Sequence, residues 1–189
     1  MRIVAGKFKG RRLTEPKSNA IRPTSDRARE TMFNILQHGC DVSFEDIRVL
    51  DLFAGTGALG LEALSRGAAF CLFVEEAAEA RALIRTNVET FGQTGHTKIY
   101  RRDATSLGAS EGLGTFDLAL LDPPYDKALG EAALQALAQG GWLRPDAISV
   151  LEERRGNTIA IPADFELIDL RELADTQMLF MRYIGSPTS

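Results

Sequence analysis

Polar and apolar positions change period along the chain. Between residues 26 and 36 the apolar residues Ala28, Met32, Ile35 and Leu36 recur at i, i+4, i+7 and i+8, one buried stripe of a helix that starts near Thr24 to Asp26, just after Pro23. From Arg48 the pattern becomes short apolar runs alternating with helix-period segments. Strands are predicted at 49–53, 70–75, 98–101, 116–121 and 148–151, and helices at 58–66, 77–90 and 128–139. Two closing strands, 166–170 and 178–183, have no helix of length between them and read as an antiparallel pair. Upstream, residues 2–5 and 11–14 read as two short strands turning through Gly6 to Gly10, followed by a proline-bounded linker. Strands separated by helices give right-handed crossovers and a mostly parallel sheet covered on both faces. The expectation is an α/β domain over 24–185 with a seven-stranded sheet, a small hairpin arm over 1–23, and a loose tail at 186–189.

Composition adds little until it is divided along the chain. Hydrophobic residues at 44% and charged residues at 25% are ordinary for a soluble globular protein. Cys40 and Cys71 are too few for a disulfide framework, and neither His38 nor His96 has a second ligand at metal spacing, so no metal site is expected. No segment approaches membrane-spanning length and no signal peptide is evident, so a cytoplasmic protein, free of the membrane, is expected. Residues 1–30, however, hold nine Lys/Arg against three acids, while the rest carries thirteen against twenty-three. A basic arm on an acidic body suggests a polyanion partner, although a solvated hairpin would look the same.

Parallel sheets bind ligands outside the C-terminal ends of their strands, where strand order switches. The unusual residues fall at those ends: Asp51 to Gly55, Glu75, Asp103 and Asp122. The stretch Gly55-Thr56-Gly57-Ala58-Leu59-Gly60 fits the dinucleotide fingerprint G-x-G-x-x-G. Asp51 just before it is a poor neighbour for a diphosphate, and a nicotinamide reading leaves the later proline motif without a role. S-adenosyl-L-methionine fits better, because each acid then meets a hydrogen-bond donor. Asp51 accepts from the ammonium, Glu75 from both ribose hydroxyls, and Asp103 from the adenine amine with the Ala104 amide near a ring nitrogen. The turn Phe53, Ala54, Gly55 and Gly57 lies near the ligand's carboxylate.

The run Phe116 to Leu121 ends in Asp122-Pro123-Pro124-Tyr125, an acid followed by a stiff backbone and an aromatic ring. An exocyclic nucleobase amine is a poor nucleophile because its lone pair is delocalised into the ring. Asp122 and the Pro123 carbonyl can accept its two hydrogens and aim the lone pair, Pro124 rigidifies the loop, and Tyr125 can stack an extruded base. Here the sequence resembles a known group. Asp-Pro-Pro-Tyr is similar to the motif of class I methyltransferases that act on exocyclic amines. "RIVAGKFKGRRL", "RPTSDRARETMFNIL", "VLDLFAGTGALGLEALSRGA" and "LLDPPYD" look like the bacterial 16S rRNA guanine-N2 methyltransferases of the D type.

That resemblance implies a Rossmann-like class I methyltransferase fold and S-adenosyl-L-methionine as cofactor. The implied target is a guanine of 16S rRNA, guanine(966), within the assembling 30S subunit. A monomer is expected. One departure is Glu76-Ala77 after Glu75, where relatives often place an acid two residues on. On this reading Lys7, Lys9, Arg11 and Arg12 would hold rRNA phosphates from a hairpin beside the catalytic face, with Arg22 or Arg27 nearer the target. An adenine-N6 DNA methyltransferase, a non-catalytic RNA-binding assembly factor and a nicotinamide-dependent oxidoreductase stay open as alternatives.

Overall fold

The computed structural model describes residues 1–16, 25–125 and 127–185. Seven strands form one sheet: β1 (Arg48–Leu52), β2 (Phe70–Val74), β3 (Thr97–Tyr100), β4 (Phe116–Leu121), β5 (Leu143–Arg154), β6 (Phe165–Leu173) and β7 (Thr176–Tyr183). The spatial order is β3-β2-β1-β4-β5-β7-β6. Strands β1 to β5 run parallel to one another, and β7 is antiparallel to both β5 and β6. The order reverses between β1 and β4, which opens a crevice at their C-terminal ends.

Two-residue alternation sends side chains from each strand into separate cores. Val49, Cys71, Phe73, Leu118 and Val150 meet helices α1 (Asp26–His38), α2 (Ala58–Ser65) and α3 (Ala78–Thr90) on one face. Leu50, Leu52, Leu72, Leu121 and Leu151 meet α4 (Leu129–Gln139) and the 100–116 loop on the other. Gly60 shows how close α2 lies to the sheet: a Cβ there would stand 2.4 Å from Phe73 Cε1 and 2.5 Å from Cys71 Sγ. The third glycine of the fingerprint thus serves helix–strand contact. Among the described residues, no helix is long and apolar enough to cross a membrane.

The mostly parallel sheet, the antiparallel closing pair and the helix positions agree with the sequence reading, but β5 does not end at 151. It continues to Arg154 because β7 keeps pairing with it, Glu152 opposite Met178 and Arg154 opposite Thr176. The stripe of α1 buries Ala28, Met32 and Leu36 as expected. Phe33 and Arg29 are buried with them, and Ile35 is only half-buried.

The N-terminal arm departs further from expectation. In place of two strands there is a single antiparallel bridge, Arg2 to Arg12, and a 3-10 turn at Gly6–Phe8. The two halves still pair as a short hairpin, Ile3 N–H donating to Arg11 O at 3.0 Å, Gly10 N–H to Ile3 O at 2.8 Å and Leu13 N–H to Met1 O at 3.2 Å, and other amides go to the body. Val4 and Ala5 N–H donate to Glu62 Oε2 and Oε1 at 2.8 and 3.0 Å, Phe8 N–H to Ser65 Oγ at 3.0 Å, and Thr14 N–H to Asn87 Oδ1 at 2.7 Å. Ile3 and Leu13 are buried in the core shared with α1, α2 and α3. Lys17, Arg22 and the rest of the linker over 17–24 lie outside the described residues, as does the tail over 186–189.

Candidate active site

One cavity of about 520 Å³ lies across the C-terminal ends of β2, β1, β4 and β5 and reaches the β6–β7 turn. Because strand order sets the sequence of side chains, Glu75, Asp51, Asp122, Glu152 and Asp175 succeed one another along it. No lysine or arginine stands among the described lining residues. Such a cavity favours a cationic ligand and is unsuited to a pyrophosphate.

Asp51 occupies the last inward position of β1 and is 1% exposed. Its Oδ2 accepts from the Gly60 N–H at 2.8 Å, which fixes the carboxylate against the first turn of α2. Burial pushes its pKa well above the usual carboxylate range, and the neighbouring charges of Asp122 and Glu75 push in the same direction, against the Gly60 hydrogen bond. A cation at this position would offset both effects.

The turn after β1 starts at Phe53, a non-glycine residue with φ of 58°, where an L side chain costs about 1–3 kcal/mol. Ala54 N–H donates to Val74 O at 3.2 Å and Gly57 N–H to Ala54 O at 2.7 Å, closing the turn. Phe53, Ala54 and Gly55 line the cavity. Gly57, with φ of 77°, shapes the turn without joining the wall: a Cβ there would lie 3.2 Å from Phe73 Cε1.

Glu75 stands just beyond β2 with both oxygens engaged. Oε2 accepts from the Gly55 N–H at 3.0 Å and Oε1 from the Ala77 N–H at 2.8 Å. The acid therefore braces the glycine turn and the approach to α3. The Gly55 amide, expected near a ligand carboxylate, is turned to Glu75 instead. A carboxylate has about four acceptor sites, so Glu75 can still receive two hydroxyls from the cavity side.

Asp103 and Ala104 are not brought into the wall. Asp103 is exposed beyond β3, where its Oδ1 accepts from the Thr105 N–H at 2.8 Å and the Thr105 hydroxyl at 2.7 Å, closing a tight turn. Ala104 is buried in the second core.

On the other half of the cavity, Asp122 follows the last residue of β4. Its N–H reaches Leu52 O at 3.5 Å, the final rung between β4 and β1. Pro123 is buried, Pro124 exposed and Tyr125 half-buried, and all three line the cavity. The Tyr125 hydroxyl donates to Glu152 Oε1 at 2.9 Å, so the ring is tethered to β5. Glu152 escaped the sequence reading because an acid pair after an apolar run looks like a strand leaving for solvent. Asp175 and Thr176 were missed as a turn, and Met1, Ser25 and Ala28 were missed as wall residues. The signal for the last two was present: Ser25 caps α1, its Oγ accepting from the Ala28 N–H at 3.1 Å, which aims that helix end at the cavity.

The basic residues are divided. Arg27 is exposed on the first turn of α1, between Ser25 and Ala28. Lys7 Nζ donates to Gln93 Oε1 at 3.3 Å, and Arg11 reaches Thr90 O at 2.7 Å and stacks over Phe91 at 4.4 Å. Thr90 ends α3 and Gln93 follows it, and Ser65, which holds Phe8, ends α2. The tip of the arm is therefore at the opposite end of the sheet from the cavity. The expectation that it stands beside the catalytic face is corrected: the arm lies along α2 and α3 with Met1 at the cavity and Lys7 and Arg11 at the far end. Lys9 and Arg12 are exposed on the same segment. Nearer the cavity, Arg154 and Arg155 line an open recess shared with Tyr125 and Asp175.

Comparison with known proteins agrees with this geometry. The chain is 37% identical over 169 residues to "Ribosomal RNA small subunit methyltransferase D" of Escherichia coli, covering 88% of this chain and 82% of that protein. The protein of the same name from Haemophilus influenzae is 33% identical over 170 residues, covering 89% and 86%. The solved structure of yhhF from Escherichia coli superposes with a TM-score of 0.83 at 29% identity, covering 98% of this chain and 99% of that one. An RNA methyltransferase from Salinibacter ruber, solved with S-adenosyl-L-homocysteine, shares the fold with a TM-score of 0.66 at 15% identity, covering 88% and 96%. Residues 1–182 match the family model "Conserved hypothetical protein 95", and the chain belongs to that family, with the fold of the class I methyltransferases.

Proposed function

We propose that the chain transfers a methyl group from S-adenosyl-L-methionine to the exocyclic N2 of a guanine in 16S rRNA, guanine(966), during assembly of the small subunit. The carrying observation is the row of carboxylates, with no lysine or arginine among the described lining residues, joined in one cavity to Asp122-Pro123-Pro124-Tyr125. The names of the family's relatives support rRNA as the substrate class.

The donor set fits the methyl donor. Its ammonium and sulfonium are cations for an acidic cavity, and Asp51, already oriented by Gly60, accepts from the ammonium. Glu75 accepts from the ribose hydroxyls while bracing the glycine turn. Asp103, one strand further out and beyond the wall, gives Oδ1 to its own loop and would accept from the adenine amine through Oδ2, with the Ala104 amide beside it. When bound, S-adenosyl-L-methionine supplies an electrophilic methyl group on a positively charged sulfur.

The chain's own residues prepare the acceptor. Asp122 and the Pro123 carbonyl take the two hydrogens of the base amine, drawing the nitrogen toward tetrahedral and pointing its lone pair at the donor side of the cavity. Pro124 keeps that carbonyl from swinging away. The ring of Tyr125, held by Glu152, offers a stacking face to the extruded base. Catalysis is then mainly alignment and exclusion of water, with Asp122 receiving the proton released afterwards.

Phosphates of the RNA are held by Arg27 at the cavity mouth and by Lys7, Lys9, Arg11 and Arg12 farther along the docked arm, with Arg22 a further contact. Incubating the protein with tritiated S-adenosyl-L-methionine and, separately, 30S particles, free 16S rRNA and DNA tests the proposal. Label in either RNA sample supports it, whereas label confined to DNA rejects it. Charge reversal of Lys7, Lys9, Arg11 and Arg12 should weaken RNA binding and flatten its salt dependence, and unchanged binding removes the arm from the interface.

A further inference from the structure

We propose that Glu152 selects guanine over other amine-bearing bases by accepting the N1–H of the target beside the amine held by Asp122 and Pro123. This rests on the reading of the site as a guanine-N2 methyltransferase. Asp122 and the Pro123 carbonyl can take the hydrogens of any exocyclic amine, adenine N6 included, so they do not distinguish the bases. A further group has to read the ring position next to the amine.

Strand register brings Glu152 to that position. Leu121 of β4 pairs with Leu151 of β5 in parallel register, so the residues that follow them, Asp122 and Glu152, leave that pair on adjacent strands spaced about 4.7–4.9 Å apart. Both line the same cavity, and Glu152 is 3% exposed. The Tyr125 hydroxyl donates to its Oε1 at 2.9 Å, fixing the carboxylate next to the ring proposed to stack on the base. One hydroxyl does not exhaust a carboxylate's acceptor sites.

The chemistry separates the bases by sign. Beside its amine, guanine presents N1–H, a donor that a carboxylate accepts. Beside its amine, adenine presents the N1 lone pair, which a carboxylate repels. A buried site built to hydrogen-bond one group rejects the analogue lacking it far more strongly than an apolar pocket rejects a misfit.

The test uses RNA carrying either guanine or 2-aminopurine at the target position. Both have the 2-amino group, but 2-aminopurine has a lone pair at N1 in place of N1–H. The unmodified protein should favour guanine in kcat/KM by on the order of 10²-fold or more. Glu152→Gln, whose amide can turn to donate to N1, should bring the two substrates within about tenfold of each other, mainly by losing rate on guanine. Tyr125→Phe separates direct reading from support of the ring: it should slow both substrates alike and keep their ratio. Equal use of both substrates by the unmodified protein, an unchanged ratio in Glu152→Gln, or a collapsed ratio in Tyr125→Phe overturns the assignment. The guanine arm with unmodified protein reports separately on the site itself: if N2-methylguanosine forms there and the ratio fails, only the role of Glu152 falls, whereas methylation of adenine instead removes both.

Discussion

Removing Glu62 tests whether the N-terminal arm is part of the catalytic domain or an appendage of it. This carboxylate is fully buried on α2 and serves four groups at once. Oε1 accepts from Ala5 N–H at 3.0 Å and from Arg66 Nε at 3.0 Å. Oε2 accepts from Val4 N–H at 2.8 Å and faces Arg29 Nε, itself 0% exposed, at 3.6 Å. Glu62→Ala strands two amides and an arginine in the interior. Breaking a buried pair costs about 3–5 kcal/mol, and Arg29 keeps Asp26 Oδ1 at 2.8 Å, so a loss of about 3–4 kcal/mol is expected. For a domain of this size that corresponds to a fall in Tm of about 6–16 °C. Thermal unfolding measures the total, and hydrogen exchange locates it: the Val4 and Ala5 amides should exchange on the order of 10²-fold faster. Met1 and the start of α1 line the cavity, so affinity for S-adenosyl-L-methionine should fall as well. A Tm within 2 °C of the parent, or unchanged exchange at Val4 and Ala5, would refute the account of Glu62 as the anchor. Should the alanine variant not fold, Glu62→Gln, which keeps one acceptor oxygen and loses the charge, should show the same effects at smaller size.

Three further outcomes are expected. Asp122→Asn should lower kcat by about 10²–10³-fold while calorimetry finds S-adenosyl-L-methionine affinity nearly unchanged, and parallel losses in both would place the residue in donor binding instead. Asp51→Asn should weaken that affinity yet stabilise the empty protein. Burial raises the pKa of Asp51 in the fold, so the stability of the parent declines as pH rises from the unfolded Asp value, about 4, through the raised folded value. The Tm advantage of the asparagine variant should therefore grow from acidic to neutral pH, and a pH-independent difference would mean that Asp51 does not change protonation in this range. Gly60→Ala drives a methyl group into Phe73 and Cys71, both 0% exposed, and should cost about 1–3 kcal/mol in thermal unfolding; a neutral result would contradict the close packing of α2 on β2.

The sheet and half of the cavity were legible because local chemistry declares them. Asp51 interrupts an apolar run near its end and Asp122 closes one, and glycine and proline punctuate the turns that follow, so their positions follow from β/α alternation alone. What stayed hidden depends on contacts distant in sequence. Glu152 is interior only because β7 returns antiparallel and extends β5 by three residues, a pairing that no local pattern encodes. Arg29 and Glu62 each look like a solvated helix charge until α1, α2 and the arm meet. The arm itself reads as a free basic hairpin because its composition shows, whereas its docking is carried by backbone amides donating to Glu62, Ser65 and Asn87, which leave no signature in side-chain type. Asp103 shows the converse: an acid at the expected strand end that turns aside to its own loop.

The central claim is that Asp122 and its prolines present a guanine amine to S-adenosyl-L-methionine. Nucleoside analysis of 16S rRNA from 30S particles of a strain lacking this activity, after incubation with the unmodified protein or with Asp122→Asn, tests it most directly. The account predicts one new N2-methylguanosine with the unmodified protein and little or none with the variant at equal S-adenosyl-L-methionine occupancy. Methylation at another base or atom, or equal N2-methylguanosine from the variant, would contradict it.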